Sequence, residues 1–193
     1  MSARLAAVVL CLFALSDAAF AQDKGPTAGV EIGFSSSRIS PDLPGQDISR
    51  GGGLLAGGWI GFQPWVPVGI QIELLYAQKH SQIAGGNSLS LDYIEIPMLA
   101  RLKLFKSIYV LEGIALGFPV SAKTTTAAGA ETDTKSKVTN PDIGMIIAGG
   151  VPIAKKVNLE FRYEGGFKKI SNVDTDPSQR NRSLSGVLSI RLE

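Results

Sequence analysis

Apolar and polar residues alternate with a period of two along most of the chain. Val30, Ile32 and Phe34, for example, are separated by Glu31 and Gly33. Successive side chains of a β-strand point to opposite faces, so this pattern predicts strands with one apolar face. Eight stretches are predicted as strands, at residues 29–35, 54–62, 70–77, 93–103, 108–120, 142–153, 157–167 and 183–192. The stretch 108–120 is apolar on both faces, so its pattern does not assign them.

Long polar connections alternate with short ones between these strands. The long ones are residues 40–50, 81–90, 123–141 and 171–182, and the short ones are 63–67, 105–107 and 154–156. Long loops at one end and short turns at the other are typical of outer-membrane barrels. We therefore predict an all-β fold, an eight-stranded antiparallel up-and-down transmembrane β-barrel with both termini at the periplasmic end. Pro97 and Pro152 lie inside predicted strands, where each removes a ladder donor, and we expect local bulges there.

Charged residues fall on the face opposite the apolar one. Arginine or lysine facing lipid near the midplane would cost about 2–4 kcal/mol, so this face is predicted to point into the lumen. We interpret this face as a structural charge network. Its main members are Glu73, Glu95, Arg101, Lys103, Glu160 and Arg162, and Glu31 and Arg191 also belong to it. A water-soluble barrel would show the reverse orientation. Aromatic girdles are expected at both ends, with Phe62, Trp65, Phe105 and Tyr109 at the short turns and Phe34, Tyr76 and Phe118 at the long loops.

The first residues predict export. Arg4 precedes an apolar run and then the small-residue site Ala19-Phe20-Ala21. This is the pattern of a signal peptide over residues 1–21, cleaved between Ala21 and Gln22, which leaves residues 22–193 as the barrel domain. With 19 Lys and Arg against 17 Asp and Glu, the chain has a formal net charge of +2, and no nucleic-acid partner is expected.

Four motifs in the chain resemble one known family. They are Glu73 to Lys79 (ELLYAQK), Asp92 to Leu99 (DYIEIPML), Asp142 to Val151 (DIGMIIAGGV) and Asn158 to Tyr163 (NLEFRY). In this order they resemble the outer-membrane β-barrel family that includes PorT-like proteins. The resemblance implies a small barrel in the outer membrane of a Gram-negative bacterium, and an association with a protein-secretion system like that of the family's namesake.

Candidate chemistry is sparse. The single histidine, His80, is followed by Ser81, but adjacent strand residues point to opposite faces, so we expect no catalytic pair. No metal, cofactor or catalytic site is predicted. The threonine-rich loop 123–141 is interpreted as a solvated tether rather than a binding surface.

The expected function is a non-enzymatic barrel with a packed lumen rather than an open pore. Its expected partners are outer-membrane lipid, the barrel-assembly machinery and envelope or secretion-system proteins. Two alternatives stay open: a soluble periplasmic barrel carrying an apolar ligand, and a lipid A-modifying enzyme.

Overall fold

The computed structural model describes residues 25–40, 47–64, 67–105, 107–173 and 178–192. The predicted signal peptide and its cleavage site at Ala21 and Gln22 lie outside these residues. The strands are β1 (Thr27–Ser40), β2 (Ile48–Phe62), β3 (Val68–Ile83), β4 (Asn87–Phe105), β5 (Ile108–Thr125), β6 (Glu131–Asp133), β7 (Asp142–Ala154), β8 (Val157–Gly166) and β9 (Arg180–Arg191). Among the described residues, no helix has the length and apolarity needed to cross a membrane.

Eight of these strands form one closed antiparallel ring. Each pairs with the next along the chain, and β1 closes the ring against β9. The three-residue strand β6 pairs only with the end of β5 and lies outside the ring. The predicted eight-stranded up-and-down barrel is therefore confirmed. Going round the ring, β3 and β8 stand four positions apart, on opposite sides of the lumen.

The apolar residues face outward and the charged ones inward. On β1, Ile32 and Phe34 are 54% and 73% exposed, whereas Glu31, the residue before Ile32, is only 3% exposed. The same alternation holds along β8, where Phe161 is exposed and its neighbours Glu160 and Arg162 are buried. The soluble-carrier alternative is wrong, because it requires the reverse arrangement.

The structure assigns the two faces of β5. Tyr109 and Leu111 are buried in the lumen, and Ile108 and Ile114 face outward. The position of Tyr109 near a short turn suggested a girdle residue. The structure corrects this, because Tyr109 faces the lumen. Strict alternation also turns Glu112 to the exterior, between Ala100 and Ile147 of the neighbouring strands. It is an exception to the rule that charges point inward.

The expected bulges occur at one of the two prolines. Beside Pro152 the β7–β8 register shifts by one residue, as predicted. At Pro97 no register shift occurs: the β3–β4 ladder omits the pairs between Ile72–Met98 and Leu75–Glu95 and resumes in the same register. A proline can therefore be accommodated by interrupting the ladder. A bulge that the pattern did not predict lies near Pro119, where the β4–β5 register shifts.

One of the predicted long loops is mostly strand. Residues 81–90 extend the β3–β4 hairpin and leave a turn at residues 84–86. Gly85 and Gly86 have φ values of 86° and 81°, a region that only glycine enters freely. Here polar residues interrupt the inward face, which still carries Ile83 and Leu89, so the period-two signal is weak although the strands continue.

Candidate functional site in the barrel lumen

The middle of the lumen holds one guanidinium surrounded by three carboxylates. We call Arg162, Glu31, Glu73 and Glu160 the central ion cluster. Arg162 on β8 donates to Glu31 Oε2 of β1 at 2.6 Å and to Glu73 Oε2 of β3, across the full barrel, at 2.6 Å. It also donates to Glu160 Oε2 at 2.6 Å on its own strand. All four side chains are at most 4% exposed, so water does not screen these contacts.

A second cluster lies nearer the long loops. We call Lys79, Glu95 and Glu164 the upper ion cluster. Lys79 Nζ on β3 lies 2.5 Å from Glu95 Oε1 on β4 and 2.6 Å from Glu164 Oε1 on β8. This lysine was not among the predicted lumen charges, although continuing the alternation of β3 past Ala77 turns it inward. Both ion clusters therefore join β3 to β8 across the barrel.

An apolar layer covers the upper ion cluster at the long-loop end. We call it the apolar cap; its buried members are Ile39, Ile48, Leu91, Tyr93, Ala122, Val138 and Ile170. Val138 and Ile170 come from two different loops, which are joined by hydrogen bonds from Thr139 N to Ile170 O and from Asn172 N to Lys137 O. The interpretation of loop 123–141 as a solvated tether is thus wrong: its single valine anchors it over the lumen.

The predicted network does not form as one unit. Glu73, Glu160 and Arg162 meet in the central ion cluster, and Glu95 belongs to the upper one. Arg101 lies nearer the short turns, 3.8 Å from the Tyr109 ring centroid, and donates to Gln71 Oε1 at 3.3 Å. No carboxylate contacts Arg101 within the part of the chain that the structure describes.

A cavity of about 180 Å³ opens at the short-turn end of the lumen. We call it the basal cavity. Its lining includes the indole of Trp59, the amide of Gln63 and five cationic side chains, namely Arg101, Lys103, Lys155, Lys156 and Arg191. Lys103 and Arg191, predicted as members of the lumen network, are therefore placed here.

Two glycines make room for the largest lumen side chains. A Cβ at Gly29 would overlap the Trp59 indole, and one at Gly150 would overlap the Tyr109 ring. With that space, Tyr109 donates its hydroxyl hydrogen to Glu160 Oε1 at 2.7 Å and so extends the central ion cluster. Aromatic rings thus fill the lower lumen where paired charges do not.

The histidine lies on the outer face of β3. His80 Nε2 is 3.8 Å from Asp92 Oδ1 on β4, while Ser81 is buried on the opposite face. Asp92 was not predicted as its neighbour, because only the β3–β4 register brings the two together. Ser90 is the register partner of His80. Ser81, the hydroxyl next to the histidine in sequence, is thus separated from the imidazole by the strand itself.

Comparisons with known proteins show which solved structures have a similar fold. A search of the curated proteins found no match. Neisserial surface protein A (NspA) has a similar structure, with a TM-score of 0.59 and 13% identity over 87% of this chain and 99% of that one. Ail, the attachment invasion locus protein of Yersinia pestis, has a TM-score of 0.51 and 14% identity over 88% and 99%. At this identity the likeness concerns the fold alone.

The family comparison covers most of the sequence. Residues 20–172 match the model of the outer membrane protein beta-barrel domain. The match fits the apolar exterior and closed ring described above, and it indicates the bacterial outer membrane as the location. The chain therefore belongs to the outer membrane protein beta-barrel domain family.

Proposed function

We propose that this protein is a non-enzymatic outer-membrane barrel with a sealed lumen, whose role is structural or lies in an envelope complex. The observation that carries the proposal is the central ion cluster, where Arg162 bridges Glu31 and Glu73 across the barrel. An eight-stranded barrel is only wide enough for side chains, so such a bridge leaves no continuous water path. The apolar cap adds a second barrier in series.

We further propose that the short turns face the periplasm and that the long loops face outward. This orientation is the one that outer-membrane barrels adopt. It agrees with the predicted signal peptide, because export and cleavage after Ala21 release the chain on the periplasmic side. Association with a secretion system rests on the resemblance to PorT-like proteins and is part of the same proposal. Cross-linking in cells followed by purification in detergent identifies such neighbours.

Planar-bilayer recording tests the sealed lumen. The purified barrel, shown to be folded by its altered gel mobility without boiling, is expected to insert without producing stable current steps. Reproducible ohmic steps from the folded protein would contradict the proposal. Unfolded protein is the control, because it separates leaks caused by aggregates from currents through the barrel.

A basic patch on the exterior supports outer-leaflet lipid as a partner. Arg38 on β1 lies directly opposite Arg182 on β9, and Arg180 follows on the same strand toward the long loops. Arg180 and Arg182 are both exposed on the outward face of β9. Exposed guanidinium groups suit the phosphate groups of outer-leaflet lipid, and the Yersinia Ail structure includes a complex with the heparin analogue sucrose octasulfate.

Binding to lipid vesicles tests this partner. Transfer into lipopolysaccharide-containing vesicles is expected to raise the unfolding temperature of the double variant Arg180→Gln/Arg182→Gln by less than that of the unaltered protein. The reason is that the variant loses two contacts to phosphate. Lys155→Gln, a change at a short turn, is the matched control. Equal gains in thermal stability for both variants and the unaltered chain would exclude the patch as a lipid contact.

A further inference from the structure

One carboxylate of the barrel faces outward instead of into the lumen. Glu112 is exposed on β5, between the outward residues Val110 and Ile114 of the same strand. It makes no hydrogen bond or ion pair with any other residue that the structure describes. The carboxylates of the two ion clusters, by contrast, each contact a cation. Contacts within the chain therefore do not account for Glu112.

Glu112 lies well inside the apolar outer wall. Four residues separate it from Ile108, the outward residue next to the short turn, and the outward residues from Ile114 to Val120 are apolar. At about 3.4 Å per residue and a strand tilt of about 40°, Glu112 lies about 10 Å from the short-turn edge of a wall that is about 25 Å tall in such barrels. Its short side chain therefore does not reach the lipid headgroups.

A carboxylate at this depth requires a partner that lipid does not supply. Lipid chains carry no cation and no hydrogen-bond donor, and an ionisable residue within the membrane marks a functional position. Arginine and lysine side chains of another polypeptide are the groups that pair with a carboxylate in a membrane. The charge of Glu112 thus indicates a protein contact.

A second copy of this chain does not bring a cation to Glu112. Copies of one barrel lie at the same depth in the membrane, so a matching cation must lie on the outer wall at the level of Glu112. In the described part of the ring, the outward arginine and lysine residues are all at the long-loop end, namely Arg38, Arg50, Lys123, Arg180 and Arg182. The partner is therefore a different protein.

The wall beside Glu112 has a groove that a partner can enter. The groove has a volume of about 790 Å³ and includes Ile147, the register partner of Glu112 on β7. Gly149 and Gly186 also line it, and Phe161, which is 66% exposed, lies between them. Small residues on a membrane-facing surface allow the backbone of a partner to approach closely.

We propose that the outer wall around Glu112 is the contact surface for a second membrane protein, which brings an arginine or lysine side chain to this depth. A cation facing lipid near the midplane is unfavourable in the partner as well, so the pair removes an unpaired charge from both proteins. The inference rests on the envelope complex of the proposed function and does not use the sealed lumen. A current in planar bilayers would remove the sealed lumen and leave this contact standing, whereas failure of the tests below leaves the sealed barrel standing.

Photo-cross-linking in intact cells tests the contact. A benzoyl-substituted phenylalanine in place of Ile147 is expected to form an adduct with one protein. The same group in place of Ile60, which is 47% exposed on β2 across the ring, is the matched control and is expected to form none. Glu112→Gln is expected to lower the yield of the Ile147 adduct roughly tenfold or more. An adduct with a second copy, adducts with lipid only, or a yield unaffected by Glu112→Gln would overturn the proposal.

A charge exchange identifies the pair. Mass spectrometry of the adduct names the captured protein, and each membrane-facing arginine or lysine of that protein is replaced by glutamate. One such change is expected to remove the adduct, and Glu112→Lys in this chain is expected to restore it. A captured protein without a membrane-facing cation, or no rescue by Glu112→Lys in a variant that is folded by its gel mobility, would overturn the proposal.

The isolated protein gives an independent readout. Without a partner, Glu112 faces lipid unpaired, so Glu112→Leu is expected to raise the urea midpoint of the purified protein in phosphatidylcholine vesicles. Ile114→Leu, at the next outward position of β5, is the matched control and is expected to leave the midpoint unchanged. An unchanged or lower midpoint for Glu112→Leu would mean that the carboxylate does not face lipid, and it would overturn the proposal.

Discussion

At the residue scale, the stability of the barrel depends most on Arg162. It is the one cation that the central ion cluster holds against Glu31, Glu73 and Glu160. Arg162→Gln leaves these carboxylates buried without a cation, so the free energy of unfolding is expected to fall by about 3–5 kcal/mol. Urea unfolding in detergent measures the loss.

Two further variants make this prediction specific. Glu31→Gln is expected to cost less than Arg162→Gln, because the guanidinium keeps two carboxylates and Glu31 Oε1 has no hydrogen-bond partner among the described residues. Arg182→Gln, an exposed change on β9, is expected to stay within about 0.5 kcal/mol of the unaltered protein. Equal losses for Arg162→Gln and Arg182→Gln would mean that the central ion cluster does not stabilise the barrel.

Arg101 and Arg162 have the same pattern in the sequence but different partners in the structure. Alternation predicts that both Arg101 and Arg162 point inward, and on that basis either substitution would leave a carboxylate unpaired. In the structure, Arg101 contacts the Tyr109 ring and Gln71 instead. Partners in the lumen come from strands far apart in the ring, and local pattern carries no information about which of them meet.

At the element scale, β7 offers two adjacent glycines with opposite roles. Gly150 faces the lumen, where a Cβ would overlap the Tyr109 ring, whereas a Cβ at Gly149 has no neighbour within 4 Å. Gly150→Ala is therefore expected to lower the free energy of unfolding by about 1–3 kcal/mol, since the ring must move. Gly149→Ala is expected to be neutral or stabilising, because glycine weakens a strand interior.

Thermal unfolding of the two variants in the same detergent checks this pair. Their compositions are identical, so a difference in stability reports only on the face that each residue occupies. Similar melting curves would mean that Tyr109 has another position available.

The strands, their number and the inward direction of the charges were predictable from alternation. Which glycine accommodates a ring was not, because the faces of β5 are both apolar.

At the scale of the whole molecule, the ring could be predicted and its closure at the long-loop end could not. Eight stretches with alternating long and short connections specify a barrel, because all of them except 108–120 have only one face suited to lipid. The apolar cap depends instead on Val138 and Ile170, two isolated residues in separate polar loops. No periodic signal connects them, so their contact emerges only in the folded chain.

Limited proteolysis on intact cells tests the cap and the orientation together. Lys135 and Lys137 lie next to Val138 in a segment held over the lumen, so added trypsin is expected to cleave the unaltered protein slowly there. Val138→Asp places a charge in the apolar cap, which should release the segment and speed cleavage roughly tenfold or more, as local opening becomes favourable. Ala128→Asp, an exposed change in the same loop, is the matched control and should leave the rate unchanged. Cleavage of Val138→Asp only after cell lysis would mean that the long loops face the periplasm, and equal rates for the two variants would mean that Val138 does not anchor the loop.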